Sequence, residues 1–230
     1  MARVGLGLAG NSLPTRELLD FQLAHARARD AVHFPLDSLA LLLEIEAAGW
    51  PAIVVQSAAR DRAEYLRRPD LGRRLDAASV NALKAFRSHC DTVFVIADGL
   101  SALGVHRHAP ALLLNTMTGK PNATVVIVEQ GRVAIGDEIG QLMNASLAVV
   151  MIGERPGLSS PDSLGVYITW APRVGRTDAE RNCISNIRAD GLSPEAAGQL
   201  LQLLMAEASS RRLSGVQSWR GKELQMNCAE

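Results

Sequence analysis

The sequence predicts an α/β protein with a Rossmann-like, mostly parallel sheet, helices on both faces, and a small N-terminal helical unit ahead of it. Three observations carry this. Short apolar runs without polar alternation recur after Pro51, at 53–55, 92–97, 123–128 and 147–152, and such runs suit strands covered on both faces. Segments with helical spacing separate them, at 77–87, 102–114 and 137–144, which is the alternation of a layered α/β domain. Hydrophobic residues make up 47% of the 230 and charged residues 21%, a balance that supports a sizeable core and excludes intrinsic disorder.

Taken in order, the first element follows Pro14. Leu18, Leu19, Leu23 and Ala26 recur at three- and four-residue steps while Arg16, Gln22, Arg27 and Arg29 fall elsewhere, so an amphipathic helix is expected. Pro35 presets a second helical entry, Asp37 or Ser38 can cap it, and 39–48 is rich in helix formers until Gly49. These two helices form a hairpin. Gly49-Trp50-Pro51 breaks the pattern, which places a helical unit at 1–49 and the sheet domain at 50–230. Residues 165–170 supply a further strand. Ser193-Pro194-Glu195, a cap followed by proline in the first turn, opens the last helix at 194–212, with Ala197, Leu200, Leu201 and Leu204 on one side.

Composition narrows the function classes. Twenty-four basic residues cancel twenty-four acidic ones, which removes the positive field that nucleic-acid binding relies on. No apolar run approaches the roughly 18 to 20 residues of a membrane span, since 39–45 is already broken by Glu44. Met-Ala-Arg leads into a glycine-rich stretch rather than a long apolar segment, so no secretory signal is expected. Cys90, Cys183 and Cys228 show no CxxC spacing and fit free thiols in a reducing, cytoplasmic compartment.

Gly5-Leu6-Gly7-Leu8-Ala9-Gly10 matches the GxGxxG of dinucleotide folds, but its context does not. Only four residues precede it where a strand should stand, and Asn11 to Pro14 follow where a helix should open. A stand-alone nucleotide-binding oxidoreductase is the alternative this loop keeps open. His106 and His108 are the only close histidine pair, and at i, i+2 their rings point to different sides of a helix. GxSxG and GxxxxGK[ST] are absent. No catalytic residue and no metal ligand is expected in this chain.

In open parallel sheets, functional loops lie beyond the C-terminal ends of the strands. Three such ends carry unusual text: Asp98-Gly99-Leu100-Ser101, Gly131-Arg132-Val133, and Gly153-Glu154-Arg155-Pro156-Gly157. The third would serve equally as a solvated turn with surface charges. A fourth segment, 176–187, packs charge, amide, hydroxyl and the Cys183 thiol into twelve residues; a long polar connection with a buried structural cysteine would read the same way.

These segments, together with Asp162-Ser163-Leu164-Gly165-Val166-Tyr167, the stretch 68–75 and the stretch 131–140, resemble the small (light) subunit of ethanolamine ammonia-lyase, in order over about 2–216. The resemblance implies an adenosylcobalamin-dependent complex that converts ethanolamine to acetaldehyde and ammonia by radical chemistry in the barrel of a separate large (heavy) subunit. It implies that this chain supplies part of the cobalamin wall between the two subunits, within a higher hetero-oligomer. Family contacts carry over to Val133, Glu154 and Cys183, whose motifs are intact. Corrin is a broad apolar disc fringed by amides, so its wall needs apolar contact and hydrogen-bond acceptors more than catalytic bases. Val133 can pack, Glu154 can accept from amides, and Cys183 offers a small polarizable contact. The D-x-H-x-x-G signature that replaces the cofactor's own base on cobalt is absent, as the family implies. Leu8 stands where the family commonly has an arginine. The extension that directs some members into a bacterial microcompartment has no counterpart here, so cytoplasm is expected.

Overall fold

The structure is a computed structural model, and it describes residues 14–86, 90–117 and 122–216. Helices α1 (Thr15–His33) and α2 (Ser38–Ala47) come first, as expected. Among its residues α1 buries Ala31 and leaves Leu18, Leu19, Phe21 and Leu23 exposed. Asp37 caps α2 by accepting the Ala40 N–H at 2.9 Å, and Leu41 and Ile45 on α2 join the core against the sheet.

Six strands form one sheet: β1 (Ala52–Gln56), β2 (Thr92–Ala97), β3 (Ala123–Glu129), β4 (Leu147–Gly153), β5 (Leu164–Trp170) and β6 (Arg181–Ile187), in the spatial order β1-β3-β2-β4-β5-β6. The first three pairings across that order are parallel and the last two antiparallel. The sheet is therefore mostly parallel, although its order is not the 3-2-1-4-5-6 of dinucleotide-binding sheets. No helix of the described residues is long and apolar enough to cross a membrane.

Five more helices complete the fold: α3 (Arg62–Arg67), α4 (Ala77–Ala85), α5 (Ala102–Met117), α6 (Ile135–Leu142) and α7 (Pro194–Arg211). Period-two alternation sorts the strands into two cores. Phe94, Ile96, Val125, Ile127, Val149 and Met151 face α2, α5 and α7. Val93, Val95, Val126, Val128, Ala148 and Val150 face α4 and α6. Phe94 and Ile96 are fully buried, each stabilising the fold by about 1.5–3 kcal/mol relative to exposure. Both apolar sets are needed because helices cover both sides of β2, β3 and β4.

Strand β6 is not among the strands the sequence predicts. Arg-Asn-Cys-Ile-Ser-Asn-Ile lacks a continuous apolar run because α5 and α7 cover only one face of the β5–β6 ribbon. Val166, Ile168, Ile184 and Ile187 belong to that covered face. On the other face lie Gly165, Tyr167 and Thr169 of β5, with Arg181, Cys183 and Ser185 of β6; Tyr167 is partly buried, and Cys183 and Ser185 are exposed. Cys183 is thus a surface thiol rather than a buried structural one, while Cys90 is buried.

Candidate functional site

The C-terminal ends of β2, β3 and β4 are tied into one platform. Asp98, buried at the end of β2, accepts the Gly131 N–H at 2.9 Å and pairs with Arg62 at 3.1 Å. The Leu100 N–H donates to the Gly153 carbonyl at 2.9 Å, and the Tyr65 hydroxyl to the Gly131 carbonyl at 2.9 Å. Burial pushes the Asp98 carboxyl up to about 6, against the pull of Arg62.

Two crevices, of about 440 and 430 Å³, open beside this platform, and Arg132, Val133 and Tyr167 line both. Val133 sits just before α6. Glu154 follows β4 and lines the second crevice, its two carboxylate oxygens each 3.2 Å from the Asn186 N–H. The carboxylate packs closely over Gly165, where an added Cβ would stand 3.0 Å from Glu154 Oε1. One bound N–H leaves most of the acceptor capacity of Glu154 free.

Cys183 lies opposite Tyr167 in the β5–β6 register, with its Sγ 3.8 Å from Ser185 Oγ. Burial, then the neighbouring Cys183 and Glu154, push the Tyr167 hydroxyl up to about 12. The three residues singled out in the sequence, Val133, Glu154 and Cys183, therefore come from three separate segments and gather around Tyr167. Tyr167 itself is a residue that motif reasoning did not assign. Its signal was available in β5, where Gly165, Tyr167 and Thr169 alternate with Val166, Ile168 and Trp170.

A buried ion pair holds the two sides of the site together. Arg181, at the start of β6, donates to both carboxylate oxygens of Asp137 on α6 at 2.7 Å and to Thr169 Oγ1 at 2.9 Å. Its side chain is 2% exposed and that of Asp137 3%. The bidentate fork fixes the turn carrying Val133 relative to the strand carrying Cys183.

Chemically, this surface offers apolar contact, acceptors and arginines around an open shelf. His106 accepts the Asp37 N–H through Nε2 at 3.0 Å, while the buried His108 lies 3.9 Å from Asp162, so the two rings diverge as their spacing predicts. Among the described residues no group of three or more His, Cys, Asp or Glu is placed to hold a metal. The Gly5 to Gly10 loop, with Leu8, lies outside the described residues, as does Cys228.

Fold and site together define a mixed α/β domain with an open shelf beside the C-terminal ends of its central strands. Its relatives define the family. Residues 1–218 match the family model described as ethanolamine ammonia-lyase light chain (EutC). A small subunit of ethanolamine ammonia-lyase from Pseudomonas aeruginosa (strain LESB58) is 55% identical over 224 residues, 94% of this chain and 82% of that protein. Its counterpart from Ralstonia nicotianae is 54% identical over 224 residues, 94% and 83% of the two chains, and that from Xanthomonas campestris pv. campestris (strain B100) is 54% identical over 225 residues with the same coverage. The chain belongs to the ethanolamine ammonia-lyase light-chain family and is an ammonia-lyase subunit by that membership.

Proposed function

We propose that this chain docks on the large subunit of ethanolamine ammonia-lyase and forms one wall of an adenosylcobalamin site at the interface. The observation that carries this reading is the meeting of Val133, Glu154 and Cys183 around Tyr167, beside the open part of the β5–β6 ribbon. The residues fit the group: a broad shelf with two crevices, apolar surface at Val133 and Tyr167, and a carboxylate with spare lone pairs suit an apolar disc fringed by amides. When bound, adenosylcobalamin supplies the radical chemistry by which the complex converts ethanolamine to acetaldehyde and ammonia. This chain's residues bind, orient and exclude water: Val133 packs, Glu154 accepts from amide N–H groups, and Cys183 gives a close small contact.

Docking accounts for apolar surface left open elsewhere. Leu18, Leu19, Phe21 and Leu23 on α1, and Leu39 and Leu43 on α2, are exposed, and we assign these apolar side chains to subunit contact. The helical unit 1–49 is the part of the chain we assign to subunit contact, and 50–230 the part that faces cobalamin. The assembly is a higher hetero-oligomer in the cytoplasm. A stand-alone oxidoreductase is not favoured, because the family match covers residues 1–218, all six strands included.

Glu154 tests the reading. Its removal would leave corrin amide donors partly unpaired in a dry crevice, at about 1–3 kcal/mol, or roughly tenfold to a hundredfold in affinity. Cobalamin titration of the co-expressed complex should order the proteins wild type, Glu154→Gln, Glu154→Ala, with Ala weakest because Gln keeps one carbonyl acceptor. Gel filtration checks that the subunits stay associated. Equal affinities in all three would remove Glu154 from the site.

A further inference from the structure

We infer that Arg73 and Arg132 form an anion subsite that takes the phosphodiester of the cofactor's nucleotide tail, an inference that rests on the cobalamin reading above. The charges around the 440 Å³ crevice single out these two. Four arginines line it, Arg73, Arg132, Arg176 and Arg181. Arg176 pairs with Glu180, and Arg181 pairs with Asp137 and Asp178. Asp178, the one acidic residue of the lining, is itself taken up by Arg181. Neither Arg73 nor Arg132 has a carboxylate partner among the described residues.

Arg132 is also held in place for a ligand. Its guanidinium lies over the Tyr65 ring, 4.2 Å from the centroid, and its backbone N–H donates to the Gly72 carbonyl at 2.7 Å. Gly72 makes room for this stack, since an added Cβ would stand 2.8 Å from both Arg132 Cγ and the Tyr65 ring. Among the described residues the guanidinium makes one hydrogen bond, a long one from Nη2 to the Tyr65 carbonyl at 3.5 Å. A guanidinium fork fixed by stacking and with donors left over matches phosphate oxygens. Arg132 and Val133 are adjacent and line both crevices, with Glu154 on one side and Arg73 on the other. The wall thus sets donors for a singly charged phosphodiester next to an acceptor for corrin amides, with Arg155 also lining the crevice of Glu154.

Cobalamin and cobinamide, the same corrin without its nucleotide tail, distinguish this subsite from the rest of the wall. Each is titrated into the co-expressed complex for wild type, Arg132→Gln, Arg132→Lys, Arg73→Gln and Glu154→Ala. Arg132→Gln should weaken cobalamin at least tenfold and leave cobinamide within about twofold, with Arg132→Lys intermediate. Arg73→Gln alters an exposed side chain and should weaken cobalamin alone by a smaller factor. Glu154→Ala should weaken both ligands. Equal weakening of both corrinoids by the arginine variants, or no weakening of either, would overturn the subsite. Loss of subunit association in Arg132→Gln would overturn it too, by showing that the arginine pairs with a carboxylate of the large subunit. If Glu154→Ala leaves both ligands unchanged, it is the cobalamin wall that fails.

Discussion

On β2 every residue from Val93 to Ala97 is buried, whereas on β6 Arg181, Asn182, Ile184 and Ile187 are buried and Cys183, Ser185 and Asn186 stand in solvent. Both strands belong to one sheet. They differ in cover: α4 and α6 pack on one side of β2 and α5 on the other, while α5 and α7 reach only one side of the β5–β6 ribbon. Strands β2 to β4 stabilise the domain through their side chains on both faces, so neither face is left for a ligand. The ribbon's other face is covered at Thr169 and Arg181, where Arg181 meets Asp137 of α6, and open at Cys183 and Ser185, with Tyr167 half-buried between. An antiparallel pair added to a parallel sheet thus extends the core on one side and leaves an open shelf on part of the other.

The strongest way to break this contrast is to cut the tether beneath the shelf. Arg181→Met leaves Asp137 buried without its counter-charge and should destabilise the domain by about 3–5 kcal/mol. Arg181→Met with Asp137→Leu should recover most of that loss, because an apolar pair of similar volume removes the uncompensated charge. Pulse proteolysis across a urea series reads both at low protein concentration. A loss below about 1 kcal/mol for Arg181→Met would show that the shelf does not depend on the pair.

On the covered side, Asp98 predicts a pH dependence. Its carboxyl holds a proton up to about pH 6 in the folded chain and to about pH 4 when unfolded. Between those values the folded state binds more protons, so the contribution of Asp98 to stability falls as pH rises from about 4 to 6, by about 3 kcal/mol in all. Asp98→Asn lacks the titrating group. The stability of wild type relative to Asp98→Asn should therefore decline by about that amount between pH 4 and pH 7. A difference that stays constant over this range would refute the assignment.

The same contrast explains what was legible in the sequence. Strands β1 to β4 announce themselves because burial on two faces demands unbroken apolar text, as in Val93-Phe94-Val95-Ile96-Ala97. The helix caps at Asp37 and Ser193 are equally readable, since each supplies the side-chain oxygen that a first-turn N–H needs. Strand β6 was hidden by its one-sided helix cover: Arg181, Cys183 and Ser185 interrupt the apolar pattern, leaving only the alternation with Asn182 and Ile184 as a clue. The short helix α3 and the single turn at Leu71–Arg73 were hidden for another reason. They are too short to show periodicity, and their placement follows from long-range contacts such as the Tyr65 hydroxyl on Gly131. Val133, Glu154 and Cys183 came from family resemblance. Tyr167 and Arg132 stand in segments the sequence already marks, but that they share one surface with those three depends on long-range packing of β5, α6 and the β4 end.

A smaller effect sharpens the comparison at the shelf itself. Cys183→Ser and Cys183→Phe should each change the stability of the chain by less than about 0.5 kcal/mol, since the side chain is exposed. Cobalamin affinity of the complex should separate them. Phe, too bulky for a close wall, should weaken binding about tenfold, and Ser should stay within about twofold. Full affinity in Cys183→Phe would place the cofactor elsewhere.

The most direct measurement compares two thiols, Cys183 on the shelf and Cys90 in the core, in a Cys228→Ser background of the co-expressed complex. Burial pushes the Cys90 thiol up, which keeps it inert to alkylation. Iodoacetamide labelling, read by mass spectrometry of the digested chain, should modify Cys183 in the cofactor-free complex and spare Cys90. Saturating cobalamin should then slow the labelling of Cys183 at least tenfold and leave Cys90 unchanged. Labelling of Cys183 at the same rate with and without bound cobalamin would contradict the account.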